Sequence, residues 1–356
     1  MRLANWAEPQ ISKDTEIKAK VLLVGVCGTD REETSGGRAA APANEKELII
    51  GHEMLAEVVE IGKKVTKVKV KDRIVFTVRR GCGLCDPCKA FRSDYCLTGK
   101  YTERGIKGAH GFQSTFVVDD EMYAVPVPPS LGDIAVLAEP MSVVQKAIEE
   151  TILIQSRRLS WLKNPLDWLK NQTVCVAGLG PIGLLASLVL SLKGAKVIGL
   201  DRAPTDSPRA LCLAAMGGSY VNDKSFDPTA FKKTYPDVRL IVDAAGVAKF
   251  DFDLMSVLGI NGILVLTGVP GEQPLIPIDG PRLMRQLVLC NQVVVGSVNE
   301  SIDHFVQGLK DLEAARQKWP GVVEQLITHR FPHADFLKAF EKHGSDEIKA
   351  VIDWRK

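Results

Sequence analysis

Apolar positions follow two successive patterns along the chain, first strands alone and then strands alternating with helices. Residues 17–26 (IKAKVLLVGV) alternate and then become continuously apolar, which predicts a strand. Residues 54–62 (MLAEVVEIG) predict a second, and 68–76 (VKVKDRIVF) a third with an Asp–Arg turn, as in a small β-barrel. Residues 34–46 are small and polar and read as a loop, and 112–118 (FQSTFVV) as another strand. Over 131–150 the pattern turns helical; Pro140 suits the first turn of a helix and Glu139 its cap region. Residues 151–171 continue into an amphipathic connector, with Trp161 and Trp168 as packing residues.

The second pattern starts at residue 173. TVCVAG (173–178) predicts a buried strand, GLGPIG opens the helix LLASLVLSLKG, and KVIGL predicts a strand ending at Asp201. LIVDAAG (240–246), GILVLTGVPG (262–271) and LVLCNQVVVGSVN (287–299) predict further buried parallel strands. Residues 301–316 predict an amphipathic helix, and HGSDEIKAVIDW (343–354) closes with a strand. The expectation is an α/β chain: residues 1–150 a catalytic domain built on a β-barrel, 151–298 a doubly wound parallel sheet, and 299–356 a return to the first domain. Ligands sit beyond the carboxyl ends of parallel strands, so the active site is expected in the cleft between the domains.

GLGPIG carries the first chemistry. Gly178 permits a tight turn, Gly180 lets a pyrophosphate approach the backbone, and Gly183 lets the helix pack on the strand. With strand, helix and an acid 18 residues after Gly183 all in place, the motif predicts dinucleotide binding. The binding residues are Gly178, Leu179, Gly180, Pro181, Ile182 and Gly183 in that turn, with Asp201 and Arg202 after the next strand. Ala245, Gly246, Thr267, Gly268, Val269, Ser297 and Asn299, at the ends of the later strands, join them. Asp201 favours NAD by binding the ribose hydroxyls, whereas Arg202 can pair with the 2′-phosphate of NADP, so both cofactors stay open.

The most specific stretch is GCGLCDPCKAFRSDYC at 81–96. Cys82, Cys85, Cys88 and Cys96 offer four thiolates at zinc-finger-like spacing, enough to saturate a tetrahedral zinc and leave no open position. A disulfide knot suits a short secreted chain rather than one of 356 residues without an apolar leader; an iron–sulfur cluster and free thiols are the remaining rivals. Cys27 at the end of a strand, the pair His52–Glu53, Glu103 in a turn and Glu139 at a helix start are each weak alone. Cys175, Cys212 and Cys290 lie in apolar surroundings and read as small core residues.

Composition narrows the class. Apolar residues make up 46%, charged residues 25%, and the formal net charge is +2 without a basic block, so nothing points to nucleic acid or a membrane surface. A reducing cytoplasm is expected from the cysteine usage.

In chain order, Cys-Gly-Thr-Asp, Gly-His-Glu, the clustered cysteines, Glu-Pro and GLGPIG resemble the zinc-dependent medium-chain alcohol and polyol dehydrogenases. VRRGCGLCDPC, YCLTGKYTERGI, VVGSVN followed by HF, and HGSDEIKAVIDW are most similar to the glucose (aldose) dehydrogenases known from archaea. The resemblance implies a GroES-like barrel beside a Rossmann domain, one structural and one catalytic zinc, and NAD or NADP. It implies NAD(P)-dependent oxidation of an aldose such as D-glucose at C1 to the lactone, and a homotetramer. Carried over by position, Cys27, His52 and Glu53 hold the catalytic zinc, with Glu139 a fourth or water-mediated ligand. Thr29 relays a proton, Glu103 contacts the sugar, and Asn299 lies by nicotinamide and substrate. Val143, one turn after Glu139, stands where a polar sugar contact is expected. Two other readings stay open: a zinc dehydrogenase for a polyol or L-threonine, and a non-catalytic protein that reads NAD(P)H and holds only the cysteine-bound zinc.

Overall fold

The structure, a computed structural model, describes residues 1–356 other than Arg38, Lys163, Ser225, Glu272 and Gln273, and at Pro165 and Leu166 only the backbone. The chain divides into two units: Met1–Ser142 with Asn299–Glu313 and Leu326–Lys356, and Val143–Val298 with Ala314–Gln325.

Unit 1 is built on β1 (Glu16–Val26), β2 (Glu53–Ile61), β3 (Arg73–Phe76), β7 (Phe116–Asp120), β8 (Ala124–Pro126), β15 (Ile327–Pro332) and β16 (Lys349–Asp353). The order is β15-β16-β1-β2-β3-β8, with β7 also on β1, and only β15 and β16 run parallel. Among the described residues the pairing runs open from β15 to β8. β1 is long enough to pair with β7 along its first half and β16 along its second. A bulge between Val21 and Leu23 shifts the alternation, so Ile17, Ala19, Val21 and Val24 all enter one core with Met54, Val58, Ile74 and Phe76. A small second sheet joins β4 (Arg79–Arg80), β5 (Thr102–Arg104) and β6 (Gly108–Ala109).

Unit 2 carries β9 (Thr173–Ala177), β10 (Lys196–Asp201), β11 (Ser219–Asn222), β12 (Val238–Asp243), β13 (Leu258–Leu266) and β14 (Val293–Gly296). They form a fully parallel sheet in the order β11-β10-β9-β12-β13-β14, the doubly wound arrangement of dinucleotide folds. The core strands are apolar because both faces are covered; Val174, Cys175, Val176 and Ala177 of β9 are all buried.

Several expectations from the apolar pattern are corrected. Residues 68–72 are a turn, with Lys71 at φ 78, and only Arg73–Phe76 is strand. The strand expected at 112–118 starts at Phe116. The polar loop begins after Thr34, because a short helix, α1 (Gly28–Thr34), follows β1 directly. The apolar run at 287–299 is not one strand: helix Gly280–Leu289 reaches into it, Asn291 turns at φ 48, and β14 follows. Trp168 is buried, but Trp161 is exposed and packs on nothing that would hide it. Cys175 and Cys212 are core residues, whereas Cys290 is only half-buried at the end of helix Gly280–Leu289.

The glycine turn follows from sterics. Gly178 sits at φ +82, open to glycine but costly for other residues. A methyl on Gly183 would overlap the Gly178 carbonyl oxygen, so helix Pro181–Leu192 can seat on β9 only with glycine there. We predict that Gly183→Ala costs about 1–3 kcal/mol or more through overpacking against backbone. Thermal melts with and without NAD(P) should show both a lower midpoint and loss of the cofactor-induced shift.

Candidate active site

One end of the unit 1 sheet gathers the first donor set. Gly25 of β1 lies opposite Glu53 of β2, and Val26 opposite Ala350 of β16. The turn from β1 into α1 therefore brings Cys27 to the start of β2, where His52 and Glu53 sit. The Cys27 thiol caps α1 by accepting from the Thr29 backbone N–H at 3.2 Å, and Asp30 accepts from the Cys27 N–H at 2.8 Å. Cys27 Sγ lies 3.1 Å from His52 Nε2, and the ligand atoms of Cys27, His52 and Glu53 all fall within 4.8 Å of one another. Gly25 is required: a side chain there would overlap the Glu53 carboxylate.

Behind this triad stand two buried ionic groups that the sequence reading did not single out. Asp30 Oδ1 faces His52 Nδ1 at 3.3 Å, which leaves Nε2 as the nitrogen turned to Cys27. Lys349 Nζ lies 2.6 Å from both Glu53 oxygens and donates to the Val26 carbonyl at 3.2 Å. Burial, the largest single influence, depresses the Lys349 ammonium, but Glu53, Cys27 and Glu139 together outweigh it and raise its pKa. The sequence signal for Lys349 was a lysine inside an otherwise buried strand, KAVID.

Glu139 opens helix α3 (Ala138–Arg158), α2 being the short turn Asp86–Lys89. Its carboxylate is not among the three atoms that converge. Burial, more than the opposing His52 field, pushes it up to about 7. Thr29 is half-buried in the first turn of α1. Glu103 and Asn299 do come together: Asn299, at φ 58, donates its amide to Glu103 Oε1 at 3.0 Å. Arg79, opposite Glu103 across β4 and β5, donates to the same oxygen at 3.0 and 3.2 Å. His110 serves the loop before it, bonding Glu45 at 2.8 Å and accepting from the Ile49 N–H at 3.1 Å.

Cys82, Cys85, Cys88 and Cys96 form the second donor set, their sulfurs within 4.8 Å of one another and none in a disulfide. Four thiols packed this closely, with Leu84 N–H and Thr98 turned onto two of them, fit a tetrahedral metal. The Cys27–His52–Glu53 set supplies sulfur, nitrogen and oxygen within 4.8 Å of one another, and three such donors fit a zinc that keeps an open position.

In unit 2 the nucleotide turn is held from below. Asp201 accepts from the Leu179 N–H at 2.7 Å and the Ala203 N–H at 2.8 Å, with Arg209 at 3.5 Å. A side chain at Gly180 would point into open space, which is the cradle a pyrophosphate needs. Arg202 is exposed beside Asp223 at 3.7 Å. Asp243 ends β12 and accepts from Ala245 N–H, while its own carbonyl takes the Thr267 and Gly268 N–H groups. Gly246 packs under the Val269 backbone, and Ser297 Oγ is buried without a partner. Asp251 stands beside Asp243; burial and then that negative neighbour push its carboxyl up to about 7.

A parallel nucleotide sheet plus one sealed and one open metal-donor set define a zinc-dependent dehydrogenase of the medium-chain type. Residues 13–129 match the alcohol dehydrogenase GroES-like domain, and residues 132–354 the glucose dehydrogenase C-terminus. Glucose 1-dehydrogenase of Methanocella arvoryzae is 34% identical over 95% of this chain and 92% of its own. Glucose 1-dehydrogenase 2 of Vulcanisaeta moutnovskia is 36% identical over 99% and 95%. Haloferax mediterranei glucose dehydrogenase in complex with NADP, Zn and gluconolactone superposes with a TM-score of 0.87 at 29% identity, covering 99% of this chain and 95% of that one. The chain belongs to the glucose dehydrogenase family of zinc-dependent medium-chain dehydrogenases.

Two predictions follow from the buried charges. Lys349→Met strands the Glu53 carboxylate and should destabilise the chelator-treated protein by about 3–5 kcal/mol. Denaturant unfolding should also show part of that loss recovered in the Glu53→Gln/Lys349→Met double variant. Asp251 has a raised folded pKa, so its stabilisation is present below its ordinary value of 3.8 and is lost as pH rises through about 7. Melting midpoints of Asp251→Asn relative to the parent should therefore rise between pH 5 and pH 8; a constant difference contradicts the assignment.

Proposed function

We propose that this protein oxidises an aldose such as D-glucose at C1 to the aldonolactone, using NAD or NADP. The observation that carries the reading is the sulfur–nitrogen–oxygen triad in the same unit as the Arg79–Glu103–Asn299 polar cluster. Zinc held by Cys27, His52 and Glu53 supplies a Lewis acid that makes an alcohol more acidic, and the nicotinamide supplies the hydride acceptor. The chain's own residues do the rest. Asp30 holds the His52 ring so that Nε2 faces the triad, and Lys349 holds the Glu53 carboxylate in place. Thr29 carries the alcohol proton away on its hydroxyl. Glu103 orients a sugar hydroxyl, its own position fixed by Arg79 and Asn299. Glu139, near neutrality, exchanges a proton beside the triad or completes its donor set. The Leu179 and Gly180 turn receives the pyrophosphate.

On the same reading the protein works in the cytoplasm as a homotetramer. No helix among the described residues is long and apolar enough to cross a membrane. Met284, Val288 and Leu289 of helix Gly280–Leu289 and Val294 of edge strand β14 are exposed apolar side chains suited to a subunit interface.

A matrix of glucose, galactose, xylose, sorbitol, xylitol and L-threonine against NAD and NADP tests the reaction, and turnover should be confined to aldoses. Activity only on a polyol or threonine, or on none, rejects it. Metal analysis should return two zincs per chain. Cys27→Ser should abolish turnover in a folded protein that keeps one zinc, whereas Cys85→Ser should lose the other zinc and lower the melting midpoint; equal loss of fold in both contradicts this division.

A further inference from the structure

Unit 2 buries a lysine that neither the zinc donors nor the nucleotide turn employs. Lys146, in the third turn of α3, is 2% exposed, inside a stretch from Val144 to Ile148 that is buried throughout. An ammonium taken out of water is costly unless the protein binds it. Lys146 Nζ donates to the Val298 carbonyl at 2.9 Å, with a Glu150 oxygen at 3.8 Å. A lysine on the outside of a helix reaches an acid four residues on just as well, so Glu150 does not require the burial. The carbonyl does.

Val298 is the last residue of unit 2 before the chain passes to Asn299 in unit 1. Its side chain is 58% exposed, so packing does not hold this segment down. Hydrogen bonds do: the Ser297 N–H donates to the Leu266 carbonyl at 3.0 Å, and the Val298 carbonyl is taken by Lys146. A peptide group is planar, so the Val298 carbonyl and the Asn299 N–H turn as one body. Asn299 leaves that plane at φ 58, a left-handed backbone that costs most residues energy and that asparagine tolerates. In that turn its amide donates to Glu103 Oε1 at 3.0 Å. Lys146 therefore grips the peptide from which the Asn299 side chain is aimed.

We propose that Lys146 is a positioning residue for the sugar. By holding the Val298–Asn299 peptide plane it keeps Asn299 in its left-handed turn, and through Asn299 it fixes the Glu103 carboxylate that receives a sugar hydroxyl. The inference rests on the sugar reading above. Methionine in place of Lys146 fills much of the same space but donates no hydrogen bond, so it frees the peptide plane without emptying the helix packing.

The test is a double-mutant cycle on the zinc-loaded enzyme with reduced cofactor bound, which has no hydride acceptor and so binds D-glucose without turning it over. Nicotinamide fluorescence reads the glucose dissociation constant of the parent, Lys146→Met, Asn299→Ala and the double variant. Lys146→Met should weaken glucose about tenfold or more, the loss expected for a hydrogen bond from a charged donor, with reduced-cofactor affinity within about threefold of the parent. In the Asn299→Ala background the same change should cost less than about twofold, because the residue it acts through is gone. A lysine that only stabilised α3 would cost as much in both backgrounds. If Lys146→Met does not fold, Lys146→Gln, one atom shorter and uncharged, takes its place in the cycle. A glucose constant within about twofold of the parent, or a loss that Asn299→Ala leaves undiminished, overturns the proposal. A parent that oxidises an aldose while the cycle fails defeats this proposal alone; a parent that oxidises none of the sugars defeats the sugar reading and this proposal together.

Discussion

Lys349 places an ammonium, 1% exposed, 2.6 Å from each oxygen of Glu53, and the placement of the sulfur–nitrogen–oxygen donor set depends on that pair. Neither charge survives burial without the other. The pair also ties three distant parts of the chain, the end of β1, the start of β2 and the C-terminal β16, into one register. Replacing it with apolar side chains of similar size would cost the fold little and could even stabilise it. Its retention is therefore better explained by what it holds: a carboxylate presented at fixed position beside a thiol and an imidazole.

The same economy appears around the ion pair. Asp30 serves Cys27 with one oxygen and faces His52 with the other, so a single buried carboxylate fixes two of the three donors. In unit 2, Asp201 and Asp243 do for backbone turns what Asp30 does for side chains. Each takes N–H groups from the residues that a dinucleotide would touch, so the turns keep their shape by internal hydrogen bonds. Both units hold their binding elements with buried acids rather than with loop packing.

The sequence made some of this readable and hid the rest for physical reasons. GLGPIG was legible because its steric demands are local: Gly178 needs a left-handed backbone and Gly183 a bare α-carbon, whatever surrounds them. The cysteine run was legible because spacing alone can close four thiols round one ion. Cys27, His52 and Glu53 were individually weak and gained meaning only from their order along a resembling chain. Arg79, Asp30 and Lys349 were not singled out, because their roles come from strand register and burial between positions some twenty (Arg79–Glu103, Asp30–His52) to nearly three hundred (Lys349–Glu53) residues apart. The apolar run at 287–299 misled for a related reason: a strand and the last turn of a helix are both apolar there, and only the turn at Asn291 separates them.

The cysteine loop gains a further consequence from this geometry. Arg79 does not stand alone under Glu103; its Nη1 also donates to the Asp94 carbonyl at 3.3 Å, inside the 82–96 stretch. Asp94 is in turn gripped by Arg92 at 2.8 Å, and Tyr101, just past the loop, stacks under the Arg79 guanidinium at 3.7 Å. Gly81 has no room for a side chain because Cys88 Sγ occupies it, so the loop packs directly against the strand that carries Arg79. A metal held by the four sulfurs would therefore steady more than its own loop: it would fix one end of a chain of contacts running from Asp94 to Arg79, Glu103 and Asn299, the cluster proposed above to meet the sugar.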